Sequence, residues 1–373
     1  MADKIRIAVI FGGRSGEHEV SLLSARSVLS VLDPGKYEVT QIGITADGRW
    51  MAGEDVLEAW EKGQPADLLH VALLPEPGEN TLYAISTNAE GQTLKRLITI
   101  DVAFPVLHGT FGEDGTIQGL LELADLAYVG AGVLASSVGM DKALFKHLMQ
   151  AHSLPVRAAL TFTRRQVESD LDSILPLAEE VAPYPLFTKP VNLGSSVGVK
   201  KCHNRAELIS GLKLAARYDR RILVERGLDA PREIEISVLG NDEPIASLPG
   251  EIVPADEFYT YRAKYEDERS QLLIPAPIAQ DTIRELQQTA IAAFKAVDGA
   301  GMARVDFLMD RTTNEIFLSE INTIPGFTRI SMYPKLWEAS GMPYAELVDR
   351  LVNLALERKA DRDRTERQYG REE

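Results

Sequence analysis

Cysteine is almost missing from this 373-residue chain: Cys202 stands alone, so no internal disulfide can form, and it reads as a small core residue rather than a nucleophile. Long apolar runs are missing as well. Nothing approaches the roughly 18 apolar residues of a membrane helix, which argues against a transmembrane segment and a membrane partner. The N-terminal run Lys4 to Phe11 lacks a small-residue cleavage pattern, so it does not read as a secretory signal, and the expected location is cytoplasmic. Positive charge is in deficit. A formal net charge of −15 argues against a nucleic-acid partner, because such proteins concentrate Lys and Arg to displace phosphate counterions. Any anionic substrate must meet a local basic cluster. The G-x-G-x-x-G fingerprint is also missing, which makes a dinucleotide oxidoreductase a poor reading. Apart from His108, the histidines show no spacing of a metal site or a triad, and there is no internal repeat.

What is present is an ordinary globular composition, 45% apolar and 25% charged, with room for two or three domains. Strand-like and helix-like segments alternate at the start: Ile5 to Phe11, Val20 to Leu32, Glu38 to Ile44, then a buried strand at Val102 to Leu107. This predicts an α/β domain with a mostly parallel sheet. Residues 52–92 are poorly periodic and read as a variable excursion. Asp141 is placed to cap a helix whose apolar stripe is Phe145, Leu148 and Met149. From Pro185 the chain turns strand-rich, with helices at Glu207 to Tyr218, Asp281 to Val297 and from Pro343. The charged tail from Glu357 reads as a helix end fraying into solvent.

The densest chemistry lies between Arg304 and Ser331. Two apolar-alternating segments flank a polar turn at Asp310 to Asn314, and residues two apart on a strand share a face. A register centred on Thr313 sets Asp306 opposite Glu320 and Arg304 opposite Asn322. Two carboxylates and an amide, with no His or Cys beside them, suit Mg²⁺ or Mn²⁺ that takes its remaining ligands from phosphates and water. A hairpin with a merely solvated outer face has the same alternation, so other segments must decide.

Lys189 to Gly198 puts a lysine at a strand end before a Gly/Ser loop. Such a loop can close backbone amides over phosphate, although G-S-S loops are also common linkers. Glu225 closes an apolar strand and Glu233 and Glu235 follow on the next, a pairing of apolar walls and carboxylates that suits a nucleoside, with surface carboxylates as the bland reading of Glu235. Pro254 to Ile274 carries Phe258, Tyr259, Tyr261, Lys264 and Tyr265. It reads either as a lid or as a loop packed on its own domain. His108 stands at the carboxyl end of a buried strand before a Gly-rich stretch, where open α/β sheets place ligand loops.

Taken together, five blocks in order resemble the D-alanine:D-alanine ligases, members of the ATP-grasp carboxylate-amine ligases. They are FGGRSGEHEVS from Phe11, LHGTFGEDGTIQG from Leu107, Met140-Asp141-Lys142, KPVNLGSSVG from Lys189, and Arg304 to Gly326 with its R-V-D and E-I-N-T-I-P-G elements. The resemblance covers almost the whole chain. It implies an ATP-grasp fold, mixed α/β and α+β, with an N-terminal Rossmann-like domain. The expected units are residues 1–138, 139–228 with the serine loop, and 229–373 with the lid at 254–274 and the metal site.

The same resemblance implies that ATP joins two D-alanine molecules through an acyl phosphate for peptidoglycan precursor synthesis, in a homodimer. Two Mg²⁺ or Mn²⁺ ions would be held by Asp306, Glu320 and Asn322. Lys142, Lys189 and Ser196 would contact ATP phosphates, Glu225, Arg226 and Leu228 the adenine, and Glu233 the ribose. Glu17 would meet the first ammonium, with Arg304 and the Gly326 amide on the oxyanion. Ser195 and Tyr265 would help deprotonate the second amine. His108, Lys264, Ser331 and Met332 would line the substrate site, Lys264 and Ser331 at the second carboxylate. Lys264-Tyr265 favours an amine nucleophile, while Ala230-Pro231 looks one residue longer than usual for the family. Alternatives are a sister ligase using D-lactate or D-serine, and a nucleotide-binding regulator without catalysis. The complete set of Arg304, Asp306, Glu320 and Asn322 argues against the latter.

Overall fold

The computed structural model describes residues 4–64, 68–253, 271–328 and 330–366. Its first strand, Ile5–Gly12, turns Ile7, Val9 and Phe11 into one core and Ala8 and Ile10 into another. A strand covered on both faces needs an unbroken apolar run, and parallel strands are covered in this way. It pairs in parallel with Tyr37–Ile44 and with Val102–Pro105, which in turn pairs in parallel with Ala127–Tyr128. The helix His18–Leu29 makes the first crossover and Thr116–Leu123 the crossover on the other side. The strand order therefore reverses between Ile5–Gly12 and Val102–Pro105, and loops at that reversal open toward a shared crevice.

Beyond Ile44 the expectation needs correcting. The sheet continues antiparallel through Trp50–Gly53, Leu69–Leu73, Thr81–Asn88 and Gly91–Thr99, so the segment read as an excursion carries strands of this sheet, and the eight-stranded sheet is mixed rather than mostly parallel. The outermost strand, Gly91–Thr99, is exposed over most of its length, so it carries no apolar alternation to read.

A second, four-stranded sheet contains Lys200–Cys202, Leu186–Pro190, Arg221–Arg226 and Ala159–Thr163, all antiparallel. The helices Leu171–Glu179 and Arg205–Tyr218 cover it, and it closes its own core around Phe162, Ile174, Leu186, Leu212 and Val224. Cys202 is fully buried there, as a small apolar residue would be. The strand expected from Gly198 begins two residues later, because Gly194 to Val199 is taken up by turns.

The third sheet is antiparallel in the order Gln271–Leu273, Gly250–Val253, Arg232–Gly240, Gly301–Met309, Ile316–Asn322, with Ile245–Ala246 paired beside Arg232–Gly240. The helix Gln280–Ala296 buries Leu286, Ala290 and Phe294 against Ile236, Val305 and Phe307 of this sheet. The first and last parts of the chain share one core. Ile7, Val9 and Phe104 meet Phe327, Leu347 and Leu351, the last two on the helix Tyr344–Arg362. That helix does not fray at Glu357. Arg358 donates to the Gly130 carbonyl at 2.7 Å, and Arg362 ion-pairs with Glu122 and Asp125, which holds the last turn down.

Candidate active site

The Arg304 hairpin has the expected register where it matters: Arg304 lies opposite Asn322 and Asp306 opposite Glu320. One strand further, Asp306 lies opposite Glu235, so three carboxylates form a row across three adjacent strands. Toward the turn the register slips by one residue between Asp306 and Phe307, because Ser319 is an extra residue in its strand. This bulge decides the site. Leu318 and Ile321 both face the core although they are three apart, and the inserted residue turns Glu320 and Asn322 to the open face.

Arg304 is 14% exposed at its side chain and donates to both Asp306 oxygens at 2.7 Å, with its Nε 3.1 Å from Glu235. Burial opposes its charge, but Asp306 and Glu235 outweigh burial and hold the guanidinium cationic. The Asn322 amide pairs both ends when its oxygen accepts from Arg304 Nη2 at 3.0 Å and its nitrogen donates to Glu113 Oε1 at 3.1 Å. Lys142 Nζ donates to the Leu193 carbonyl at 2.9 Å and lies 3.8 Å from Glu320. No group of three or more His, Cys, Asp or Glu side chains gathers as a metal site among the described residues. Two carboxylates and an amide oxygen beside a lysine remain a hard-oxygen set that suits Mg²⁺ completed by phosphate.

Two cavities adjoin at this hairpin. The larger, about 510 Å³, is lined by Lys189, Ser195, Ser196, Leu228, Glu233 and Asp306 among others, a size within the range of small-ligand sites. Its roof is the serine loop, where Ser195 and Ser196 hold φ of 52° and 58°, a conformation non-glycine residues rarely adopt. Below it, Glu225 departs from expectation. Its carboxylate is 1% exposed and sits 2.5 Å from Lys189, 2.8 Å from Arg157 and 3.0 Å from Lys146, so it faces three cations inside the lobe and not the cavity. Those cations outweigh burial and hold it ionised, well below the usual carboxylate range. Arg226 likewise turns away, its guanidinium 5.5 Å from the Phe317 ring.

The smaller cavity is lined by Glu17, His108, Glu113, Ser195, Arg304, Asn322, Gly326, Ser331 and Met332 among others. Glu17 occupies the N-cap position of the helix His18–Leu29 but leaves the cap unmade. Instead it accepts from Ser195 Oγ at 2.5 Å, linking the first sheet to the serine loop. Gly194 allows this approach, since a Cβ there would stand 2.9 Å from the Glu17 carboxylate. His108 lines this cavity with its ring held in place. Both ring nitrogens are engaged, Nε2 with Ser24 Oγ at 2.9 Å and Nδ1 with the Ile324 carbonyl at 3.1 Å, so the ring braces the segment before Gly326 rather than presenting a nitrogen to substrate. Burial keeps it neutral. Ser331 Oγ accepts from Thr328 N at 3.1 Å and shapes the turn after Gly326. Lys264, Tyr265 and most of the expected lid lie outside the described residues; Val253 and Gln271, which bracket them, pair with each other.

Two family models match the chain: the D-ala D-ala ligase N-terminus over residues 6–131 and the D-ala D-ala ligase C-terminus over residues 148–353. The chain belongs to the D-alanine–D-alanine ligase family. Its relatives include the D-alanine–D-alanine ligase of Heliobacterium modesticaldum, 51% identical over 97% of each chain, and that of Thermoanaerobacter sp., 53% identical over 95% of this chain and 97% of that one. Among solved structures, the D-alanine-D-alanine ligase from Coxiella burnetii superposes with a TM-score of 0.81 at 38% identity, covering 97% of both chains. The VanG D-Ala:D-Ser ligase from Enterococcus faecalis does so with a TM-score of 0.81 at 34% identity, covering 95% of this chain and all of that one (100%).

In this family member three side chains at the site escaped the sequence reading, and a fourth was left open. Glu235, which suited either a nucleoside site or the surface, is 6% exposed and grips Arg304. Glu113 sat unremarked inside the G-E-D-G stretch; its Oε2 accepts from Gly109 N at 2.7 Å, and burial, then the charge of Glu17, pushes its carboxyl up to about 8. Lys146 had a usable signal, being four residues after Lys142 on one helix face. Arg157 had none, because its partner Glu225 is remote in sequence.

Proposed function

We propose that the protein joins two D-alanine molecules to D-alanyl-D-alanine at the expense of ATP, through a D-alanyl phosphate, for peptidoglycan precursor synthesis. One observation carries this reading: the two cavities share Lys142, Gly194, Ser195, Glu235 and Glu320, so a nucleotide in the larger would present its terminal phosphate to a carboxylate in the smaller. In the first step a carboxylate oxygen of the first D-alanine bonds to the γ-phosphorus and the bond to ADP breaks. In the second, the amine of the second D-alanine bonds to the carbonyl carbon, and phosphate leaves with the electrons of the C–O bond. Glu17 receives the first ammonium. Arg304, held cationic, and the Gly326 amide face the oxygen that gains negative charge between attack and phosphate release. Ser195, hydrogen-bonded to Glu17, stands where the second amine must lose its proton.

Asp306, Glu320 and Asn322 would hold Mg²⁺ or Mn²⁺, which neutralises phosphate oxygens when bound. The phosphates would meet Lys142 and Lys189 under Ser196, with Leu228 and Glu233 along the nucleoside. A cytoplasmic homodimer belongs to the same reading; it rests on the family and on the lack of any described helix long and apolar enough to cross a membrane. Light scattering checks the dimer.

The test supplies ATP, Mg²⁺ and D-alanine and follows phosphate release and dipeptide mass. Phosphate release that does not depend on D-alanine would sink the reading. Limiting D-alanine with excess D-serine or D-lactate separates the D-Ala:D-Ser alternative that the VanG likeness raises. Glu320→Gln is expected to lower turnover at least about 100-fold with the melting temperature little changed, and an active variant would remove Glu320 from the metal set.

A further inference from the structure

Gly250 opens the strand Gly250–Val253 and lies opposite Glu235, which lies opposite Asp306, so it stands in the row that carries the site across the third sheet. Its backbone does not ask for glycine, since its φ is not positive. Space does. A Cβ on Gly250 would stand 2.5 Å from the Cε and 3.3 Å from the Sδ of Met332, and 2.8 Å from a methyl of Leu336. Met332 and Leu336 are one turn apart on the helix Met332–Ala339, which is tied over the same sheet face by Ser237 Oγ donating to the Tyr333 carbonyl at 3.2 Å. Leu336 is fully buried, and Ile252, two residues along from Gly250, packs with both. The Met332 thioether thus has packed side chains behind it and the smaller cavity in front, whose wall Met332 and Ile252 share.

We propose that Gly250 determines substrate size through Met332: its missing side chain lets the thioether lie back on the sheet, which leaves room in the smaller cavity for the methyl group of the second D-alanine. This rests on the ligase reading, in which Ser331, the neighbour of Met332, meets the carboxylate of that second amino acid. The cavity measures only about 100 Å³, so a displacement of one methyl group is felt. In Gly250→Ala the new methyl and the Met332 Cε cannot share their place, and the far end of an unbranched, flexible side chain is the part that yields. Leu336 blocks retreat into the core. Met332 therefore swings forward into the space of the substrate methyl.

The experiment gives the full-length protein ATP, Mg²⁺ and D-alanine with glycine in competition, and reads the second residue of the dipeptide by mass spectrometry. One methylene in an apolar pocket is worth about 10- to 200-fold in kcat/KM, so G250A should shift the product ratio toward glycine at least about tenfold, mainly through a higher KM for D-alanine. G250A/M332L, whose side chain ends before the clashing Cε, should recover most of that shift. A G250A ratio equal to that of the wild type, or a double variant no better than G250A, would overturn the proposal. Should G250A fail to fold, Met332→Ala reads the same wall: it should favour the D-amino acid with an ethyl side chain over D-alanine by about tenfold more than the wild type does, and an unchanged preference overturns the proposal equally. A crystal structure of G250A locates Met332 whatever the turnover, and a thioether still lying on the sheet would count against us. A wild type that makes no dipeptide, beside a G250A structure with the thioether in the cavity, tells against the ligase reading and leaves the packing argument standing.

Discussion

Two glutamates lie almost wholly out of water, one inside the nucleotide lobe and one beneath the substrate cavity, and they differ in charge. Glu225 has Lys146, Arg157 and Lys189 within 3.0 Å and stays ionised despite burial. Glu113 accepts from the Gly109 N–H and has the like charge of Glu17 acting on it, and burial, then that charge, lets its carboxyl hold its proton up to about 8. Depth is similar, so depth does not decide. The sign of the neighbours does. Glu225 thereby fixes the lysines that a nucleotide would meet, whereas Glu113 stays neutral beneath the substrate cavity.

The contrast breaks most readily at Glu225. Glu225→Gln leaves three cations without their counter-charge and should lower stability by about 3–5 kcal/mol in urea unfolding; a loss below about 1 kcal/mol would mean the cluster is not held by charge. Lys146 gives the next effect. Burial pushes its ammonium down to about 8, against an ordinary value near 10.4, so the folded chain holds fewer protons there than the unfolded chain across that window. Stability from this group is present above about 10.4 and lost as pH falls through about 8, a slope of up to about 1.4 kcal/mol per pH unit between them. Lys146→Met should flatten that slope, and an unchanged slope would assign it elsewhere.

The smallest effect belongs to Glu113→Gln. The folded carboxyl, raised to about 8, holds a proton that the unfolded one loses near 4.3, so its contribution is present below about 4.3 and lost as pH rises through about 8. Below about pH 4.3 the substitution exchanges one neutral group for another and should change stability by less than about 1 kcal/mol, with the variant gaining on the wild type as pH rises from there to about 8 and levelling off above it. A loss of about 3 kcal/mol at pH 6 would show Glu113 to be ionised and paired like Glu225, and the contrast would collapse.

What could be read in advance follows the same physics. The strand from Ile5 was legible because both its faces are apolar, and the hairpin because Val305 and Phe307 alternate with Arg304 and Asp306. Even the bulge left a trace, since Leu318 and Ile321 are both apolar at a spacing of three, where an unbroken strand would space them by two or four. The strands Thr81–Asn88 and Gly91–Thr99 were illegible because much of their length is exposed to solvent on both sides. Cross-sheet pairings such as Glu225 with Arg157 and Glu113 with Asn322 have no local signature at all. Lys264 and Tyr265 remain sequence expectations.

The helix Tyr344–Arg362 covers the sheet that Ile5 begins, with Leu347, Val348 and Leu351 on Ile7, Val9 and Phe104. During synthesis the first sheet therefore emerges without its cover. At roughly 5–20 residues per second, the ribosome holds that apolar face open for tens of seconds, while the middle lobe, with all its own contacts within reach, can already close. The order of birth thus runs opposite to the order of completion: the oldest strand waits for the youngest helix.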